Sequence, residues 1–175
     1  AGIVIYHGDS REVLPSVSAD VLVTGPPYGV NLGRHAGATE TRPGFLVKAS
    51  YASYDDTPEN LLSVVVPVVV AALATTVRGA VFCAGGRVGA FPEPSAVGGV
   101  YLPAGCGRNS WGFQNLAHVM FYGTAPDLHL GAHATVIRSS EPSEKNGHPC
   151  PKPLGWMLWL VGLASKPEES VLDPF

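Results

Sequence analysis

The sequence predicts an α/β fold with an open, mostly parallel sheet of the Rossmann type, built as one domain over 1–175. Short apolar, β-branched runs alternate with longer helical segments along the 175 residues. Within runs such as 21–23 and 80–83, apolar residues follow one another without alternation. This pattern is typical of parallel strands that helices cover on both faces. Alternation of strands and helices then favours a doubly wound sheet.

Composition excludes several other classes of protein. Apolar residues make up 46% of the chain and charged residues 14%, which excludes a disordered chain. The net charge of −3 gives no overall field that attracts nucleic acid, so such a contact needs a local basic patch. The three cysteines are widely spaced, which argues against a disulfide framework or a zinc site. The longest apolar-rich run without a charge, 61–77, is shorter than the roughly 20 apolar residues of a membrane span.

The first part of the chain predicts two strands around a short helix. Residues 2–6 and 20–24 are predicted as buried strands because they are short and β-branched. Residues 10–17 predict a brief helix, which Asp9 or Ser10 would cap.

The remainder predicts two longer helices and three more strands. Thr57 and Pro58 indicate a helix start, and Pro67 should kink or interrupt the helix that follows. Trp156 and Trp159 lie at helical spacing and are predicted as core residues. The predicted helices are 57–77 and 151–165, the predicted strands are 80–84, 117–122 and 170–173, and 31–53, 87–113 and 123–148 are predicted mostly as loops.

A rigid segment, Gly25-Pro26-Pro27-Tyr28, directly follows the strand predicted at 20–24. We call it the Pro-Pro-Tyr segment. The residue before a proline is held extended, so two prolines in series fix the backbone carbonyls and the ring that follows. Ligands of open α/β sheets bind at the carboxyl ends of strands. The segment can therefore accept hydrogen bonds from a planar amine while the ring stacks on it, although a proline-rich turn with a packed tyrosine is an alternative interpretation.

Four segments, taken in order, resemble the β-class, DPPY-type amino-group DNA methyltransferases. These are Gly8-Asp9, which resembles an acidic strand end, the catalytic segment 20–30, His148-Pro149-Cys150-Pro151-Lys152-Pro153, which is similar to HPxxKP, and Val171-Leu172-Asp173-Pro174-Phe175, which is similar to the start of the cofactor loop. Their order resembles the permuted members. The resemblance implies the fold of the S-adenosylmethionine-dependent methyltransferases, truncated here within the cofactor loop at the C-terminus.

The resemblance also implies a function. It implies site-specific transfer of a methyl group from S-adenosylmethionine (SAM) to the exocyclic amine of a base flipped out of double-stranded DNA. Adenine N6 is preferred over cytosine N4 as the expected target. The same resemblance implies a cytoplasmic, DNA-associated protein of a prokaryotic or phage-type restriction–modification system. The short apolar runs predict no membrane partner, and His118, His129 and His133 have no recognisable metal-ligand spacing, so no metal is expected. It leaves the recognition sequence and the oligomeric state open.

Site residues follow from the same resemblance. Catalytic roles are implied for Gly25, Pro26, Pro27 and Tyr28, with Tyr28 stacking on the flipped base. Cofactor contacts are implied for Asp9, Pro151, Lys152, Asp173, Pro174 and Phe175. The DNA-facing loop 31–53 would bind through Arg34, His35, Arg42 and Lys48, and target recognition is predicted within 87–147, ahead of the cofactor-side segment 148–175.

Two departures from the family pattern support a second hypothesis. The family's first catalytic residue is Asp, Asn or Ser, whereas Gly25 has no side chain, so main-chain carbonyls, chiefly that of Pro26, remain as acceptors. The chain also ends at Phe175, before the glycine-rich part of the cofactor loop. A catalytically impaired DNA- or partner-binding remnant of the same fold is therefore the alternative. A methyltransferase that acts on RNA or protein is a third hypothesis.

Overall fold

The computed structural model describes residues 2–32, 54–126, 133–142 and 150–175. The strands of these ranges are β1 (Val21–Thr24), β2 (Arg78–Cys83), β3 (Ala96–Tyr101), β4 (Gly107–Asn109), β5 (Gly112–Gln114), β6 (Leu116–Tyr122), β7 (Val136–Arg138) and β8 (Val171–Leu172). The α-helices are α1 (Ser10–Val13), α2 (Pro58–Asn60), α3 (Val66–Ala74) and α4 (Leu154–Ala164). Short 3-10 turns cover Leu14–Ser16 and Gly85–Ala90.

A six-stranded sheet in the order β7-β3-β6-β2-β1-β8 is the centre of the fold. β1 pairs in parallel with β2 and β8, and β3 pairs in parallel with β7. β6 runs antiparallel to both of its neighbours, β2 and β3. Five of these six strands therefore share one direction and β6 alone is reversed. The predicted Rossmann-like, mostly parallel α/β sheet is confirmed.

β1 is buried on both of its faces. Val21 and Val23 pack in the cluster that contains Trp156 and Leu160 of α4. Leu22 points to the opposite face and packs in the cluster of α3. This is why the strand reads as a continuous apolar run rather than an alternating one. The burial of Trp156 and the packing of Trp159 against the same cluster also confirm both tryptophans as core residues.

The helical segment before β2 changes its hydrogen-bond pattern in the middle. The side chain of Thr57 caps α2 by accepting from the Asn60 N–H at 3.2 Å. A π-helical turn, Leu61–Val65, then leads into α3, where Pro67 lies in the first turn. Proline lacks an N–H and its ring clashes with the carbonyl four residues earlier in a regular α-helix. The wider turn places the predicted interruption just before the proline.

The strand predicted at 2–6 is wrong. No described strand pairs with this segment, and its apolar side chains are exposed, with Ile3 93% exposed. Residues 2–6 therefore have extended propensity, but no strand of the described ranges lies beside them to form hydrogen bonds. Asp9 is accordingly not at a strand end but caps α1.

Two segments predicted mostly as loops contain strands. β3, β4 and β5 lie within 87–113 or extend just past it, and β7 lies within 123–148. In β3 the adjacent glycines permit close approach of neighbouring strands. A β-carbon at Gly98 would lie 2.0 Å from the Thr135 carbonyl oxygen, and one at Gly99 would lie 2.0 Å from that of Ala117. These glycines resemble loop residues in the sequence but serve strand packing.

Within the described ranges, no helix is both long and apolar enough to cross a lipid bilayer.

Adjacent leucines in the π-helical turn provide a test of the core. Leu61 is 2% exposed and Leu62 is 59% exposed. We expect Leu61→Ala to lower the free energy of unfolding by about 2–5 kcal/mol, because it leaves a cavity between the helical segment and β1. The matched control, Leu62→Ala, should stay within about 0.5 kcal/mol of the parent. Urea denaturation measures both, and equal losses would contradict this packing.

Candidate active site

The Pro-Pro-Tyr segment lines a cavity of about 950 Å³ at the carboxyl end of β1. Gly25, Pro26 and Tyr28 contribute to its wall, and Pro26 is buried. The opposite wall is formed by residues 102–108, and the helix side by Trp156. The cavity is large enough for a drug-sized ligand. Rigid backbone and an aromatic ring therefore border a space in which a planar molecule fits.

The ammonium group of Lys152 lies directly in front of Gly25. A β-carbon added at Gly25 would be 3.5 Å from Lys152 Nζ and 3.9 Å from a ring carbon of Phe82, which are ordinary contacts. Lys152 Nζ lies 5.2 Å from the ring centre of Tyr28 and 5.4 Å from that of Phe82, and it donates to the Cys150 carbonyl at 3.1 Å. A cation–π site thus occupies the position toward which a side chain of residue 25 would extend.

A hydrogen bond joins the carboxyl ends of β1 and β8. The hydroxyl of Thr24, a fully buried residue, donates to Asp173 Oδ1 at 2.5 Å. The Phe175 N–H donates to the same oxygen at 3.3 Å. Asp173 as a whole residue is exposed, but protein atoms crowd its carboxylate, and this burial raises its pKa above the usual value. The Thr24 and Phe175 hydrogen bonds and the charge of Lys152 act in the opposite direction.

Asp9 lies outside the cavity, near the end of β8. Its carboxylate caps α1 through the Arg11 N–H at 2.9 Å and accepts from Arg11 Nε at 2.9 Å. These hydrogen bonds to the guanidinium lower the pKa of Asp9 to about 2. The neighbouring Ser10 hydroxyl donates to the carbonyl of Pro174. The start of α1 is therefore tied to the segment that follows β8.

The residues implied by the resemblance fall into three groups. Gly25, Pro26, Tyr28, Pro151 and Lys152 line the cavity, while Pro27 is half-buried beside it. Asp9, Asp173, Pro174 and Phe175 lie at the end of β8. The DNA-contacting residues of the loop, Arg34, His35, Arg42 and Lys48, lie outside the described residues, as do His148 and Pro149.

Asp56 is a site residue that the sequence analysis missed. It is buried, and its carboxylate accepts from three backbone N–H groups: Gly29 at 2.7 Å, Val30 at 3.2 Å and Leu32 at 3.0 Å. These bonds hold the backbone directly after Tyr28. The available signal was an acidic pair at 55–56 ahead of a helix start, but only the folded chain shows that the second acid turns back to residue 29.

Arg87 and three cysteines complete the surroundings. Arg87 Nη2, from the predicted target-recognition region, donates to the Gly29 carbonyl at 3.1 Å and so supports the backbone directly after the Pro-Pro-Tyr segment. Cys83, Cys106 and Cys150 all line the cavity. Burial raises the pKa of Cys83 to about 12, which keeps this thiol neutral at physiological pH.

In the part of the chain that the structure describes, no three His, Cys, Asp or Glu side chains are grouped to hold a metal ion.

Comparison with known proteins identifies the architecture. No protein-family model and no curated protein matches the chain. A solved structure does match it, that of M1.HpyAVI in complex with SAM, with a TM-score of 0.57 and 15% sequence identity over 97% of this chain and 81% of that chain. The two chains share one fold. Because the identity is low, this likeness describes the arrangement of strands and helices.

The buried Asp56 carboxylate can be tested against its exposed neighbour. Asp56→Ala leaves three backbone N–H groups without their acceptor, and we expect the free energy of unfolding to fall by about 3 kcal/mol or more. Asp55 is exposed and accepts from the Thr57 hydroxyl, so Asp55→Ala should cost about 1 kcal/mol or less. Denaturant titration of both variants is the measurement. A smaller loss for Asp56→Ala than for Asp55→Ala would refute the anchoring role.

Proposed function

We propose that this chain is a SAM-dependent methyltransferase domain that acts on the exocyclic amine of a DNA base. The observation that carries the proposal is the position of the Pro-Pro-Tyr segment. It lies at the carboxyl end of β1, beside the acidic end of β8, and it lines a cavity of about 950 Å³. Clefts at the carboxyl ends of strands are the ligand sites of open α/β sheets. The likeness in fold to M1.HpyAVI in complex with SAM supports the same proposal.

The residues around Asp173 fit a positively charged cofactor. SAM supplies an electrophilic methyl group on a sulfonium cation. The Asp173 carboxylate, held by Thr24, would face the positive charge, and Phe175 would pack against the adenosine part. Pro151 and Lys152 would border the methionine part, and Asp9 would lie on the adenine side, near Pro174. The Asp173 negative charge offsets the charge of the nearby Lys152.

The cavity side of the Pro-Pro-Tyr segment would hold the target base. Its exocyclic nitrogen is a poor nucleophile because the lone pair is conjugated with the ring. The Pro26 carbonyl would accept a hydrogen bond from an N–H of this amine and orient the lone pair, which is catalysis by positioning and electrostatics. Tyr28 would stack on the base, a contact worth roughly 1–3 kcal/mol. Lys152 already lies against the Tyr28 ring, so the base must lie beside the ammonium or displace it.

The proposed substrate is double-stranded DNA from which the base is flipped, as chemistry on a stacked base requires. Adenine N6 is our preferred target over cytosine N4 because Thr24 precedes and Tyr28 closes the segment. The basic residues of the DNA-facing loop, Arg34, Arg42 and Lys48, would position the duplex through its phosphates. A restriction–modification role belongs to the same proposal.

A catalytically impaired remnant is the second candidate function, and Gly25 favours it. This position has no side-chain acceptor, and the group nearest to it, Lys152 Nζ, is a hydrogen-bond donor. A hydrogen-bond donor cannot replace a carboxylate that accepts a hydrogen bond from the amine of the base. The chain would then bind DNA or a partner and transfer methyl groups slowly or not at all.

Substitution at Gly25 separates the two candidates. There is room for a β-carbon, so Gly25→Asp should fold and place an acceptor at the amine position. We expect it to raise SAM-dependent methyl transfer to mixed-sequence genomic DNA by about 100-fold, the usual effect of one preorganised hydrogen-bond partner. Gly25→Ala is the matched control, since it fills the same space without an acceptor and should match the parent. Transfer of tritiated methyl groups is the measurement.

Equal and measurable rates for Gly25→Asp and Gly25→Ala would argue against an amine at this position. No transfer by either variant, together with retained DNA binding, would favour the remnant.

The cofactor assignment predicts a loss of affinity that depends on charge. Asp173→Asn should weaken SAM binding by about 10- to 100-fold, because it removes a charge-assisted interaction worth roughly 1.5–3 kcal/mol. Glu93→Gln removes one charge at an exposed position and should leave affinity unchanged. The pKa of Asp173 is raised, so affinity should be full above that pKa and fall as the pH drops through it. Calorimetric titration at several pH values tests this, and a pH-independent affinity would exclude the carboxylate as the partner.

A further inference from the structure

A small hairpin with a tryptophan at its tip stands at the rim of the cavity. β4 and β5 pair antiparallel with Asn109 opposite Gly112, and they form a two-stranded sheet separate from the main one. Ser110 and Trp111 form the turn between the strands. The Trp111 N–H donates to Asn109 Oδ1 at 2.8 Å. The turn is therefore held by a contact within the hairpin itself.

The hairpin exposes large aromatic rings to solvent. Trp111 is 97% exposed and Phe113 is 70% exposed. The guanidinium of Arg108 lies 5.4 Å from the ring centre of Phe113. An exposed indole contributes nothing to the core, and tryptophan and arginine are enriched among residues that dominate binding. The tip therefore combines a flat apolar group with a nearby positive charge.

The base of this hairpin belongs to the cavity wall. Cys106, Arg108 and Gln114 line the cavity, and the Cys106 N–H donates to the Gln114 carbonyl at 2.7 Å. The side chain of Asn115 donates to the Leu102 carbonyl at 2.9 Å, which ties the hairpin to the end of β3. A ligand that enters the cavity from this side must pass close to the hairpin.

We infer that Trp111 is a wedge that enters the base stack of duplex DNA and fills the space left by the flipped target base. This inference rests on the proposed function, because it requires a base in the cavity. A flipped base leaves its neighbours unstacked, and an inserted apolar side chain replaces part of the lost stacking. A two-stranded ribbon fits the major groove, and Arg108 can meet a phosphate there.

Duplex DNA suits the hairpin better than a single strand. Proteins that bind single strands stack successive bases on several open rings. Of the two exposed rings in this hairpin, that of Phe113 already lies against Arg108. This leaves the Trp111 ring at the tip for stacking, and a wedge needs one ring.

Plasmid unwinding tests the wedge without knowledge of a recognition sequence. A side chain that enters the base stack unwinds the duplex. Closed plasmid that topoisomerase relaxes in the presence of the parent chain should therefore show a shifted linking number after the protein is removed. We expect Trp111→Ala to reduce this shift at least fivefold and to raise the dissociation constant for duplex DNA by about 10-fold. Trp111→Phe keeps a flat ring and should restore most of the unwinding. Leu62→Ala, an exposed apolar control distant in sequence, should behave as the parent.

Two further measurements decide among partners. Plasmid should quench the indole fluorescence of the parent more strongly than that of Trp111→Ala, in which Trp159 and the cavity residue Trp156 remain. The affinity of Trp111→Ala for a single-stranded oligonucleotide should differ from that of the parent by less than about twofold. Since Trp111 is so exposed, the thermal midpoint should be unaltered, which excludes unfolding as the cause.

Normal unwinding by Trp111→Ala would overturn the wedge while leaving the proposed function intact, provided the parent binds DNA. An equal loss on single strands, or on RNA, would replace the wedge with a general stacking surface and also overturn it. A parent that binds no DNA would refute the proposed function and the wedge together.

Discussion

The burial of β1 on both faces is the constraint on which the rest of the structure depends. Its four residues have almost no contact with solvent, and the strand pairs with β2 on one side and β8 on the other. A strand held in this way delivers whatever follows it to a fixed point. The Pro-Pro-Tyr segment begins at that point, and its prolines extend the rigidity beyond the last strand hydrogen bond.

Hydrogen bonds from polar side chains hold the end of β1 and the backbone that follows the Pro-Pro-Tyr segment. Thr24 joins the ends of β1 and β8 through Asp173, and Asp56 gathers three backbone N–H groups after Tyr28. Arg87 bonds the carbonyl of Gly29 from another part of the chain. A site that works by positioning requires its supports to be rigid. These contacts supply that support from three separate elements.

Gly25 and Lys152 make this site different from one built around an acid. The lysine ammonium occupies the space in front of the glycine and is stabilised there by the rings of Tyr28 and Phe82. The group in front of Gly25 is consequently a cation, at a position where the DPPY-type methyltransferases that the sequence resembles have a hydrogen-bond acceptor. In the proposed function the exposed hairpin with Trp111 would meet the DNA, and the acidic end of β8 would meet the cofactor.

The sequence by itself determined the fold class, the helices and most strands of the sheet, because unbroken apolar runs report burial on both faces. It also indicated the Pro-Pro-Tyr segment, since two prolines restrict the backbone whatever surrounds them. Tertiary structure decided what local pattern does not encode. Residues 2–6 have strand propensity but pair with no strand of the described ranges, the glycines of β3 serve close packing, and Asp56 reaches the site across 27 positions to bond Gly29. Pairing, close approach and long-range hydrogen bonds depend on distant residues, and only the folded chain brings these together.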